Sequence, residues 1–222
     1  MNTPLFARRN KMIGLENISK KYTRGSRTFE VFSNYDLKVN RNELLVLSGR
    51  SGSGKSTLLA LLGGYLKADE GKAFFEGIDL SSQKDAELSH LHTERIGYLP
   101  QSNVMVSELT VLENVMLKSL ISGDPSDSEK ALLLLDLFGI GDLADRFPHE
   151  LSGGELRRVS LARLFLSDPD LYLVDEPSGG LDKEATRTVM DYLKERVNDG
   201  KTVVVATHDD IVKEYADRIL EI

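Results

Sequence analysis

A glycine-rich loop ending in lysine and a pair of carboxylates at the end of an apolar run are the residues of this chain best suited to chemistry. Leu44-Leu45-Val46-Leu47-Ser48 leads into Gly49-Arg50-Ser51-Gly52-Ser53-Gly54-Lys55-Ser56-Thr57, which satisfies G-x-x-x-x-G-K-[ST] between a strand pattern and a helix pattern. Glycines let the backbone wrap so that successive N–H groups face phosphate oxygens, and the following helix adds its positive end. Lys55 is suited to reach the β- and γ-phosphates and Ser56 to hold Mg²⁺. The loop therefore predicts a nucleoside triphosphate but not which reaction it undergoes.

Leu171-Tyr172-Leu173-Val174 ends abruptly in Asp175-Glu176. Ligands of parallel α/β sheets bind beyond the carboxyl ends of the strands, so these acids should share an edge with the phosphate loop. Asp175 is then placed to organise Mg²⁺ and Glu176 to polarise an attacking water. Two more strand patterns finish in polar groups: 96–99 runs through Pro100 to Gln101, and 202–207 reaches His208. Singly, Gln101 reads as a surface glutamine and His208 as a capping or core histidine. Jointly, four strand ends deliver chemistry to one edge. His90 and His92 make a poor metal pair, since residues two apart point to different helix faces.

A second anion site is predicted at Leu151-Ser152-Gly153-Gly154-Glu155, where a helix with apolar Leu156, Val159, Ala162 and Leu166 begins. Gly153 and Gly154 bare the free N–H groups and Ser152 adds a hydroxyl. One chain with two such sites either binds two anions or lends one to a neighbouring copy.

The elements that must position these groups are legible from periodicity. Strand patterns cover 12–18, 28–32, 44–48, 71–76, 96–99, 171–174 and 202–206, and helical patterns cover 55–66, 128–138, 155–166 and 183–198. Strands separated by helices predict a mostly parallel sheet of α/β type. The first strands, joined only by turn residues such as Gly25, predict an antiparallel β layer ahead of it. Residues from about 102 to 160 read as a helical subdomain inserted into a single domain spanning 1–222.

The 222 residues are enough to bury one core with an appendage, and 41% hydrophobic with 28% charged residues is ordinary for a globular protein. The apolar stretch 131–138 is too short to span a bilayer, so a membrane role needs a partner. No apolar segment follows the basic residues of the N-terminus, which therefore does not read as a secretory signal, and cytoplasm is the expected compartment. Zero cysteines excludes disulfides and thiolate metal sites. A net charge of −7 argues against a general nucleic-acid surface.

The phosphate loop, Gln101, LSGGE, LVDEP, the following Ser178-Gly179-Gly180-Leu181-Asp182 and His208, in this order, resemble an ATP-binding-cassette (ABC) ATPase domain over nearly the whole chain. The resemblance implies the P-loop NTPase fold of that family, with ATP and Mg²⁺ bound and two copies packed head to tail. Each ATP then lies between the phosphate loop of one copy and the LSGG segment of the other. It further implies that Tyr22 stacks on adenine and that Gly49 to Thr57 cradle the phosphates. Ser56, Gln101 and Asp175 attend the metal, and Ser152, Gly153 and Gly154 clasp the opposing nucleotide. Glu176 is implied as the base, with His208, Lys55 and Gln101 about the transferring phosphate and Asp182 communicating across the pair.

Two residues depart from the commonest pattern, Glu155 for glutamine and Gly180 for alanine or asparagine, which puts nucleotide affinity and dimer lifetime in question. Leu61-Leu62-Gly63-Gly64, Glu94-Arg95-Ile96-Gly97-Tyr98 and Leu109-Thr110-Val111-Leu112-Glu113-Asn114-Val115 are similar to the lipoprotein-releasing, macrolide-export and cell-division ATPases. That group implies a separate integral membrane permease, engaged by the helical subdomain at the cytoplasmic face of the membrane. An importer subunit is the alternative. A non-transport ABC protein would carry a long coiled coil or a second cassette, and a non-catalytic module would lack Glu176.

Overall fold

Apolar runs become strands of two sheets, and polar spacing between them becomes the helices. The computed structural model describes residues 11–25, 27–123 and 125–222; the segment 1–10, which bears on the reading of the N-terminus, lies outside the described residues. In chain order the elements are β1 (Lys11–Arg24), β2 (Arg27–Asn40), β3 (Leu44–Ser48), α1 (Lys55–Leu62), β4 (Glu70–Phe75), β5 (Ile78–Asp79), α2 (Asp85–Glu94) and β6 (Ile96–Leu99). Then follow α3 (Val111–Val115), α4 (Leu117–Ser122), α5 (Ser128–Leu137), α6 (Gly153–Ser167), β7 (Leu171–Asp175), α7 (Lys183–Asn198), β8 (Thr202–Thr207), α8 (Asp210–Lys213) and β9 (Arg218–Glu221).

One sheet is antiparallel in the order β2-β1-β4-β5, and the other is parallel in the order β6-β7-β8-β3-β9. The α/β architecture with its antiparallel N-terminal layer is as the sequence predicts. Residues of β3 alternate between two cores: Leu44 and Val46 face a cluster with α3, α5, α6 and α7, while Leu45 and Leu47 face one with α1, β1 and β4. A strand buried on both faces must be apolar throughout, which explains why β3, β7 and β8 read as unbroken runs.

Three differences from the sequence reading have physical causes. β1 and β2 each run 14 residues, well beyond the predicted 12–18 and 28–32. Asn17 and Asn34 take left-handed φ values of 50° and 48°, and the pairing register shifts nearby, so bulges break the two-residue alternation. Helix α1 stops at Leu62 instead of residue 66, because Gly64 turns left-handed at φ 72°. At Gly63 a Cβ would meet Leu173 and Tyr65 at 2.7 Å, so the chain closes there against β7. The third difference is omission: α2 is polar over most of its length and β9 has four residues, and neither shows a periodicity long enough to read.

Between β6 and β7 lie α3 to α6, where a polar hub ties the loop after Gln101 to α3 and α6. Asn114 is fully buried; its Nδ2 donates to the carbonyls of Val106 (2.9 Å), Leu109 (3.0 Å) and Thr110 (2.9 Å), and its Oδ1 accepts from Val106 N at 2.9 Å. Arg163 of α6 donates to Asn114 Oδ1 at 2.7 Å and to Asn114 O at 2.7 Å, and reaches Val104 O at 2.8 Å. One amide thus fixes the loop that follows Gln101. Replacing Asn114 with Leu orphans several of these buried groups and is expected to cost on the order of 3 kcal/mol of unfolding free energy. Urea unfolding of parent and variant measures it.

Candidate nucleotide site

Register brings the predicted chemistry to one edge. Ser48 is level with Thr207, Asp175 with Ala206 and Leu99 with Val174, so β3, β6, β7 and β8 all end together. Beyond those ends a cavity of about 240 Å³ is lined by Tyr22, Gly54, Lys55, Ser56, Thr57, Gln101, Asp175 and Glu176, among others.

The loop itself is built for close approach. Gly52 and Gly54 have φ of 80° and 104°, which disfavour a side chain at both, and at Gly54 the space is closed as well, since a Cβ there would meet Val31 at 2.7 Å. Gly49 is equally confined, with Ile222 O 2.6 Å from where its Cβ would sit. Lys55 is buried at the first turn of α1 and its ammonium donates to Gly49 O at 2.8 Å and Arg50 O at 3.0 Å. Arg50 and Ser51 are exposed at the rim. Ser53 Oγ is buried against Gly49 with no hydrogen-bond partner among the described residues. A helix start and a buried cation at one cavity fit a phosphate chain.

Asp175 is buried at the end of β7, and its carboxylate accepts a hydrogen bond from Ser56. Burial raises its pKa above the usual carboxylate range; the Ser56 hydrogen bond opposes this, Glu176 adds to it, and Arg157 and Lys55 act against it. Ser56, Asp175 and Gln101 offer oxygen donors around one cavity, the donor type Mg²⁺ prefers.

Glu176 takes a left-handed φ of 49° directly after the strand. Its N–H donates to Ala206 O at 2.8 Å, its Oε2 accepts from Thr207 Oγ1 at 3.0 Å, and its Oε1 lies 2.8 Å from Nδ1 of the exposed His208. A carboxylate only accepts, so Nδ1 carries the hydrogen in this pair. His208 does not line the phosphate-loop cavity; together with Gln101 and Glu176 it lines an adjoining one. Lys55, Gln101 and Glu176 therefore line one cavity, and His208 joins through its hydrogen bond to Glu176.

Tyr22 stands at the other end of the cavity, its hydroxyl 3.4 Å from Thr57 Oγ1. Its ring stacks on Phe29 with centroids 6.1 Å apart. Phe29 is absent from the sequence reading, although it lies directly opposite Tyr22 across the β1–β2 pair. Ser152, Gly153 and Gly154 are not brought to the phosphate loop of their own chain. They open α6, where Ser152 caps the helix and Gly154 packs so closely on Gly180 that a Cβ would meet its carbonyl oxygen at 2.5 Å. Glu155 Oε2 accepts from both Ser152 N and Ser152 Oγ at 2.7 Å, which holds its carboxyl below the usual range. Asp182 is also remote from Lys55 and caps α7 by accepting from Ala185 N at 2.8 Å.

Arg157 is a further residue the sequence does not announce. It is 2% exposed on α6, and burial pulls its guanidinium down to about 10 against the opposing charges of Asp175 and Glu176.

A phosphate cradle and a buried acid beside it at the carboxyl edge of a parallel sheet define a P-loop nucleotide-binding protein. Residues 32–179 match the ABC transporter family. The lipoprotein-releasing system ATP-binding protein LolD of Aquifex aeolicus is 39% identical over 95% of this chain and 93% of its own length. The macrolide export ATP-binding/permease protein MacB of a Shewanella species is 36% identical over 95% of this chain, which spans 33% of that longer protein. The cassette MJ0796 of Methanocaldococcus jannaschii, solved as a post-hydrolysis dimer bound to ADP and Pi, superposes with a TM-score of 0.88 at 32% identity, covering 95% of this chain and 94% of that one. The chain belongs to the ABC transporter family and is an ABC-type ATPase.

Because the folded-state pKa of Asp175 lies above the unfolded one, the folded chain holds more protons in that window and loses stability as pH rises through it. Asp175→Asn is therefore expected to be more stable than the parent at about pH 7 without nucleotide, and the advantage should shrink toward about pH 4, where the free carboxyl protonates. Urea midpoints of both proteins across that range test it.

Proposed function

We propose that this chain is the ATP-hydrolysing subunit of a transporter of the macrolide-export or lipoprotein-releasing type, driving a separate membrane permease. Support for that subgroup comes from the similarity to LolD and MacB. The carrying observation for the chemistry is that Glu176 presents a carboxylate to the cavity containing Lys55, oriented by Thr207 and His208.

In this reading Tyr22 receives the adenine ring, and Gly49 to Thr57 receive the phosphates. Lys55 neutralises the charge that develops on the transferring group, and Gln101 orients the attacking water. Glu176 accepts the proton of that water, and His208, hydrogen-bonded to the same carboxylate, faces the transferring phosphate from the adjoining cavity. Mg²⁺, held by Ser56, Asp175 and Gln101, supplies neutralisation of phosphate charge. Ser152, Gly153 and Gly154 clasp the nucleotide of a second copy. Their distance from Lys55 in one chain supports the head-to-tail pair, with Asp182 signalling across it. No nucleic-acid partner is proposed.

The permease side is a groove of about 500 Å³ between the parallel sheet and the helices that follow it, lined by Tyr98, Leu99, Val104, Leu117, Ile121 and Arg163. Ile121 is 80% exposed at its rim. The floor includes Pro100 and Ser102, which flank Gln101, so a permease segment seated there bears on the water-orienting residue. Among the described residues no helix is long and apolar enough to cross a membrane, and the proposed place of work is the cytoplasmic membrane face, through that partner.

Glu176→Gln is expected to leave ATP binding intact, lower turnover by at least about 100-fold and hold the two-chain assembly together. Parent-like turnover would remove Glu176 from the role of base. Lys55→Ala should abolish detectable nucleotide binding or hydrolysis in the same assay. Purification from detergent-solubilised membranes should recover a permease with a large extracytoplasmic domain, whereas a permease working with a solute-binding protein would replace this subgroup with the importer reading.

A further inference from the structure

We propose that Arg157 is a positioning residue for hydrolysis, joining the helix that begins at the LSGG segment to the strand ends that carry Gln101 and Glu176. The proposal rests on the reading of Glu176 as base. Arg157 lies one turn into α6, buried where nearly every cation of a surface helix would be exposed. One guanidinium nitrogen donates to Pro100 O at 2.7 Å, immediately before Gln101. The other donates to Glu176 O at 3.0 Å and also to Asp175 O. A single planar group therefore gathers the ends of β6 and β7, and its rigid fork makes the spacing between them specific.

The bond to Glu176 has a particular consequence. A left-handed φ of 49° is unfavourable for a glutamate, and the residue holds it because the peptide groups on both sides are fixed. Its N–H is taken by Ala206 O, and its C=O accepts from Arg157 at 3.0 Å and from Gly179 N–H at 3.1 Å. Without the guanidinium the carbonyl keeps only Gly179 N–H, a donor from the turn that follows it and not from a neighbouring helix, so the residue can relax out of that conformation and the carboxylate leaves Thr207 and His208. The tie to Pro100 O is lost in the same event, so the carboxylate of Glu176 also loses its fixed distance from Gln101. Arg157 has no contact with the phosphate loop and lines the cavity of Glu176 and His208, not that of Lys55. Its removal is therefore a fault of turnover and not of nucleotide affinity.

Arg157→Met keeps the volume and removes the donors; Arg157→Lys keeps the charge but cannot span three carbonyls. In the full chain, Arg157→Met is expected to lower kcat for ATP by about tenfold or more with KM and nucleotide affinity within about twofold, and Arg157→Lys should fall between it and the parent. In a Glu176→Gln background the Met substitution should add no further loss, because it acts through the carboxylate already removed. Unchanged kcat in either folded variant overturns the proposal. So does a loss of activity that follows weakened nucleotide binding, or a further loss in the Glu176→Gln background. If Glu176→Gln itself turns over normally, the reading of the base fails instead, whatever Arg157 does.

Discussion

The structure depends on burying opposite charges together at one sheet edge. Asp175, Lys55 and Arg157 are all buried there, and each alone would be a severe cost in a nearly dry setting. Together they are tolerable because each meets either an opposite charge or backbone carbonyls. Lys55 and Arg157 donate to carbonyls of the loop and the strand ends, and Asp175 accepts from Ser56 while sitting within the field of both cations. The burden on Asp175 is not fully relieved. A carboxylate kept charged against its surroundings is what a divalent cation would stabilise most, which makes the strained group the useful one.

Holding that edge requires strands that cannot slip. β3, β7 and β8 are apolar on both faces, so a register shift would break two cores at once instead of exposing one. Four strand ends stay level as a result, and residues more than a hundred positions apart share a cavity. The antiparallel layer contributes at its end, where the bulged β1 carries Tyr22 over Thr57. Glu76 ties the layer to the core by pairing with Arg41 at 2.5 Å and Arg95 at 2.7 Å.

This logic explains what the sequence reveals. Doubly buried strands and a glycine-rich loop leave strong linear signals, so β3, β6, α7 and the phosphate loop are legible almost to the residue. Bulges leave weak ones: Asn17 and Asn34 look like turn residues, the one near the end of its strand pattern and the other just past its own, and the strands read short. Arg157 is illegible for the opposite reason. It sits in Leu156-Arg157-Arg158-Val159, where a helical reading places both arginines among polar positions, and only packing shows that the first points inward. Phe29 is missed because cross-strand register, not spacing along the chain, sets it against Tyr22.

Helix α6 joins the two halves of the chemistry in opposite senses. Its body grips the strand ends through Arg157, while its first residues, Ser152 to Gly154, face away from their own phosphate loop. Glu155 gives that beginning a distinct electrostatic character. Its carboxylate takes both the N–H and the hydroxyl hydrogen of Ser152, so the capping serine already has an anionic acceptor of its own. In the proposed head-to-tail pair, phosphate from a second copy would compete with that carboxylate for the hydroxyl and meet its negative charge at a helix start that otherwise attracts anions. A glutamine there would make the same reciprocal cap without the charge. In the proposed pair, the cap that stabilises α6 in the single chain would also be the group that opposes bridging by nucleotide.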